Sequence, residues 1–93
     1  MSIDRNAART WSRERIREEL SDLRRQITDL NEDADRTSSE ADELVAAIDS
    51  GEHPYSRSSD PYKHTDPMYD YASKLRNTAA EMESDIEFLK SLL

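Results

Sequence analysis

Apolar residues recur at alternating spacings of four and three along two stretches of the chain. The first runs Ile16, Leu20, Leu23, Ile27, Leu30, Ala34, Thr37, Ala41, Leu44 and Ile48. The second runs Met68, Ala72, Leu75, Ala79, Met82, Ile86, Leu89 and Leu93. These spacings average about three and a half residues, the period at which one seam of a helix keeps facing a partner helix. Gly51 and the prolines at 54, 61 and 67 all fall between the two stretches, so both are free of breakers. The pattern predicts an all-α fold, an antiparallel two-helix coiled-coil hairpin forming a single domain over residues 1–93. Helix one is expected over about 5–50, a Pro/Tyr loop over 51–66 and helix two over about 67–92.

The end signals sharpen this outline. Asp4 and Ser12 are both good N-cap residues for the first helix, and the sequence does not choose between them. Gly51 can take the left-handed conformation that closes a helix near Ser50. Asp66-Pro67 reads as an N-cap acid followed by proline in the first helical turn. Asp60-Pro61 is a possible start for a short helical turn inside the loop.

Register can be read from residue size. Setting Ile48 against Met68 also pairs Leu44 with Ala72, Ala41 with Leu75, Ala34 with Met82 and Leu30 with Ile86. Large then faces small in several layers, with Thr37 and Ala79 as a narrow waist. Sliding one heptad brings Arg24 towards Glu83 and Leu20 against Leu89, which suits the charges better. Packing outweighs flanking charge pairs, so the first register is the one expected. It leaves helix one overhanging, with Trp11, Ile16 and Leu20 unmatched beside Phe88 and Leu92.

Composition limits what such a chain can be. Of 93 residues, 34% are hydrophobic and 37% charged, which suits a thin helical seam and not a thick core. The overhang and the thin seam together lead to the expectation of dimerisation into a four-helix bundle. There is no cysteine, hence no disulfide, thiolate zinc site or cysteine nucleophile. No apolar run is long enough for a membrane span, and residues 1–16 hold no signal-like apolar stretch, so a cytoplasmic location is expected. A single glycine excludes a glycine-rich phosphate loop. His53 and His64, near Asp60, Asp66 and Asp70, match no metal-ligand spacing. Neither a metal nor another cofactor is expected, and catalysis is not indicated.

Charge is unevenly spread. Net charge is −8, yet residues 1–25 carry seven arginines against five acids. Arg5, Arg9, Arg13 and Arg17 recur every four residues, a stripe if this stretch is helical, but Glu14, Glu18, Glu19 and Asp22 interleave with it. Direct nucleic-acid binding is therefore not expected. The remainder of the chain is strongly acidic, with Glu81, Glu83, Asp85 and Glu87 offering a carboxylate surface on helix two. Charged outer positions are what any coiled coil carries, although carboxylates along a helix can also imitate a phosphate backbone. Tyr55, Tyr62 and Tyr69 recur every seven residues through the proline-rich loop. Tyr55 and Tyr62 are candidates for recognition, and Tyr69 and Tyr71 for capping the bundle.

The helix–loop–helix plan with Trp11 near its start resembles type III secretion needle subunits around Ser59-Asp60-Pro61 and Tyr71 to Leu75. It shares its hairpin with the Trp-x-Gly secretion proteins but has no Trp-x-Gly turn. Tyr62 and Asp66 match a Tyr-x-x-x-Asp signal inside the loop. The third helix and cationic pocket of the helical chorismate mutases are not recognisable. None of these families is adopted. The function expected is a non-enzymatic protein–protein interaction module: an adaptor, inhibitor or assembly subunit, of the kind encoded by phages or mobile elements. Its contact would be anchored by Trp11, Ile16, Leu20, Phe88 and Leu92 and oriented by Arg13 and Arg17. The partner would be another protein, the chain itself, or both. The alternative is an acidic nucleic-acid mimic that blocks a nuclease or other DNA-binding defence protein.

Overall fold

A computed structural model describes residues 3–93 and is helical, without strands among them. Helix α1 spans Arg5–Ala8, α2 spans Arg13–Asp49 and α3 spans Thr65–Ser91, with a 3-10 turn at Pro54–Arg57. Helix α2 sets the shape. At about 1.5 Å per residue its 37 residues extend some 55 Å, close to the longest molecular dimension of 59 Å. The radius of gyration, 19.1 Å, well exceeds the roughly 12 Å of a compact domain of this length.

Both candidate N-caps are used, one per helix. The Asp4 carboxylate accepts from the Asn6 and Ala7 N–H groups and starts α1. The Ser12 hydroxyl accepts from the Arg15 N–H and starts α2. The chain bends between them, so Arg5, Arg9, Arg13 and Arg17 do not form one continuous helical stripe. Gly51, at φ +83°, stops α2 as expected, its N–H donating to the Ile48 carbonyl. Helix α3 begins at Thr65, ahead of Asp66-Pro67, because the Tyr62 carbonyl accepts from the N–H groups of both Thr65 and Asp66. A 3-10 turn forms at Pro54, where the His53 ring nitrogen accepts from the Tyr55 N–H, and a further hydrogen-bonded turn starts at Asp60-Pro61, the Lys63 N–H donating to the Asp60 carbonyl at 3.3 Å.

The register differs from the packing-based expectation. The Tyr62 hydroxyl donates to Asp49 at 2.5 Å, the Tyr69 hydroxyl to Asp42 at 2.5 Å and the Arg76 guanidinium to Asp35 at 3.2 Å. Donors and acceptors both step by seven, and each pair of numbers adds to 111, against 116 for Ile48 facing Met68. The helices thus lie close to the alternative in which Leu20 meets Leu89. Leu20, Leu23 and Ile27 share one buried cluster with Met82, Ile86 and Leu89. Ala34, Ala41 and Ala72 are fully buried.

The expected overhang is absent. Ile16 and Leu20 are 2% and 4% exposed, because residues 3–11 fold back over that end of the hairpin. Ala8 is buried in the cluster, and Ile3 and Trp11 pack against it. This cover brings α1 into the core where the repeat alone left α2 without a partner.

Candidate functional site

The two seams each consist of two rows, and the rows have different fates. On α2 the row Leu20, Ile27, Ala34, Ala41 and Ile48 is buried throughout; its counterpart on α3, Thr65, Ala72, Ala79 and Ile86, is buried too. The second row on α2 starts buried, at Ile16 and Leu23, but Leu30, Thr37 and Leu44 are only half-buried. On α3 the second row begins half-buried, at Met68 and Leu75, and becomes buried at Met82 and Leu89. A two-fold relates antiparallel helices and keeps equivalent rows on the same side of their interface. One side of the seam is therefore closed along its length. The other is closed at the α1 end and half-open towards the loop.

Different side chains close the two sides. Tyr69 and Arg76 lie four residues after Thr65 and Ala72, beside the buried row, and reach across to Asp42, Asp35 and Ser38. The ladder thus covers the small-residue side. On the other side Asp85 lies three residues after Met82, and here the N-terminal segment is clasped. The Ile3 N–H donates to Asp85 Oδ2 at 3.3 Å and Arg5 to Asp85 Oδ1 at 3.4 Å. Arg5 also donates to the Ser84 hydroxyl and lies over the Phe88 ring at 4.9 Å. Beyond that segment, on the same side, Leu30, Thr37, Leu44, Met68 and Leu75 are half-buried, with Tyr71 beside them at 53% exposed.

The expected acidic surface loses one member. Glu81, Glu83 and Glu87 are exposed, but Asp85 is 2% exposed and holds the N-terminal segment. Periodicity placed Asp85 outside the seam correctly; what it could not show was a third element packed there. Other carboxylates are also committed within the chain. Asp22 and Asp33 pair with Arg25 and Arg36, and Asp35, Asp42 and Asp49 belong to the ladder.

The expected contact residues fall into two groups. Arg13 and Arg17 are exposed, and Trp11, Phe88 and Leu92 are half-buried against the cluster, while Ile16 and Leu20 are inside it. Trp11 is further covered by Arg15, 4.3 Å above its ring. The tyrosines of the loop and of early α3 make contacts within the chain, although Tyr62 stays exposed. Tyr55 stacks on His64 at 4.7 Å, and Tyr62 and Tyr69 donate to α2. Those last two hydrogen bonds favour the neutral phenol, and the adjacent carboxylate charge opposes ionisation, so both hydroxyls ionise above the usual 10.0.

Among the described residues there is no pocket and no grouping of His, Asp and Glu able to hold a metal ion. No described helix is long and apolar enough to cross a membrane. No family model matches the chain, and no curated protein or solved structure is significantly similar to it. The half-open strip of the seam is the surface feature that the hairpin's own packing leaves unexplained. Sequence reasoning counted its residues as ordinary core. The available signal was size, since the closed row carries alanine at 34, 41, 72 and 79 where the open row carries leucine or methionine at 30, 44, 68 and 75.

Proposed function

We propose that this chain is a non-enzymatic protein-interaction module that binds its partner along the half-open strip. The observation carrying this reading is the one-sided burial: Leu30, Leu44, Met68 and Leu75 are only half-buried while the row beside them on the other side of the seam is buried. A row of leucine and methionine at heptad spacing suits an incoming helix, which reads such anchors at successive turns. The α2–α3 pair presents the row ready-made, limiting the ordering cost of association. Adaptor, inhibitor and assembly subunit are all roles a surface of this kind can serve. Dimerisation into a four-helix bundle is a second way to cover the strip, favoured by its apolar character.

The test is site-specific photo-crosslinking in the cell that makes the protein. A photoreactive residue at Thr37 or Tyr71 should yield a discrete adduct, while one at Ala80, on the far side of α3, should not. Equal labelling from both faces, or no adduct from the strip, would overturn the proposal. Sedimentation of the purified chain separates the dimer from a heterologous complex.

A further inference from the structure

We infer that the strip accepts a basic amphipathic helix of another protein; this deepens the reading above and rests on it. Two observations identify the occupant. The first is the chain's own N-terminal segment, which lies on the same side of the seam, at its α1 end. It is a short amphipathic piece that buries Ala8, packs Ile3 and Trp11, and sets Arg5 on Asp85. The hairpin therefore already binds one apolar-and-arginine segment on this side.

The second observation is charge. The α2 edge of the strip presents Asp29, Asp33, Glu40 and Glu43, against Arg36, which is already bound to Asp33. A helix with leucine-like residues on one face and lysine or arginine flanking them satisfies both the apolar row and this edge. A second copy of the chain fits less well wherever its own acidic α2 edge meets this one, because like charges across an interface are repulsive, and the α3 edge offers Lys74 as its basic group.

The experiment uses the full chain and two synthetic 18-residue helical peptides of identical leucine pattern, one flanked by lysines and the other by glutamates. Binding is followed by amide chemical-shift mapping at physiological ionic strength. The lysine peptide is expected to saturate, with shifts concentrated around Leu30, Leu44, Met68 and Leu75, and the glutamate peptide to bind at least about tenfold more weakly. The double variant Leu44→Gln/Leu75→Gln, checked for folding by its helical circular dichroism, should lose that binding. Comparable binding of both peptides at the strip would refute the charge argument and leave the interaction reading standing. Shifts spread over Glu81, Glu83 and Glu87 that vanish with salt would show mere charge attraction and overturn the inference. So would a dimer of the free chain that shields the strip. Failure of both peptides together with absent crosslinks would overturn the interaction reading as well.

Discussion

Replacing Leu20 with alanine tests whether the N-terminal segment completes the core. Leu20 is 4% exposed, in a cluster with Leu23, Leu89 and Ala8. The substitution removes three carbons, about 2.4 kcal/mol of transfer free energy at about 0.8 kcal/mol each. A residual cavity raises the cost of Leu→Ala towards about 2–5 kcal/mol where the surroundings cannot relax. Here one wall is a short segment able to settle inwards, so the expected loss is about 2–3 kcal/mol. For a chain of this length that lowers Tm by roughly 10–20 °C. Urea unfolding should be followed by helical circular dichroism and separately by Trp11 emission, because Trp11 packs on the cluster as part of the cover. Coincident transitions mean that cover and hairpin unfold together; an earlier Trp11 transition means that the cover opens first. Leu93→Ala, at a position 45% exposed, is the control and should cost under about 0.5 kcal/mol. A Leu20→Ala protein as stable as that control would mean that α2 overhangs after all, and the account of residues 3–11 would be wrong.

Arg5→Ala should cost about 1–3 kcal/mol, since it leaves the buried Asp85 carboxylate with the Ile3 N–H as its remaining donor. Adding Asp85→Asn should recover part of the loss in the same urea assay, and a purely additive double variant would refute the pairing. Ala34→Leu, at a fully buried position between close helices, should destabilise by about 1–3 kcal/mol through overpacking, read as a lower Tm. Absorbance titration should show Tyr62 and Tyr69 ionising above 10.0, with Asp42→Asn bringing Tyr69 back down. Their folded-state values are raised, so the stabilisation they give is complete below pH 10 and is lost as pH rises through those values. Four tyrosines titrating together near 10.0 would contradict the ladder.

The helices and their ends were legible because each rests on local rules. The four-and-three spacing carried α2 and α3, and Gly51 closed α2 through its positive φ. Register was harder. Size matching does not choose between the two offsets, because sliding one heptad still sets Ala34 against Leu75, Ala41 against Met68 and Leu30 against Ala79. The correct offset was instead written in the sevenfold recurrence of Tyr62, Tyr69 and Arg76 against Asp49, Asp42 and Asp35. Of these, the tyrosine spacing alone stands out in the sequence, and it reads as loop recognition until the acceptors are seen.

The N-terminal segment could not be read at all by periodicity, since α1 is a single turn and its cover is made by Ile3, Ala8 and Trp11 from an irregular path. That omission reversed the expected location of free apolar surface. The repeat predicts unmatched residues at the α1 end, from Trp11 to Leu20; the fold buries that end and leaves the strip from Leu30 to Leu44 half-open. The two outcomes have separate causes. Helix α2 is ten residues longer than α3, and residues 3–11 cover the excess at the Ile16 end. The half-buried strip lies where both helices are present, so the difference in length does not produce it. A partner of the proposed kind would repeat the chemistry of the N-terminal segment, which sets an arginine on an acid and apolar side chains against the seam.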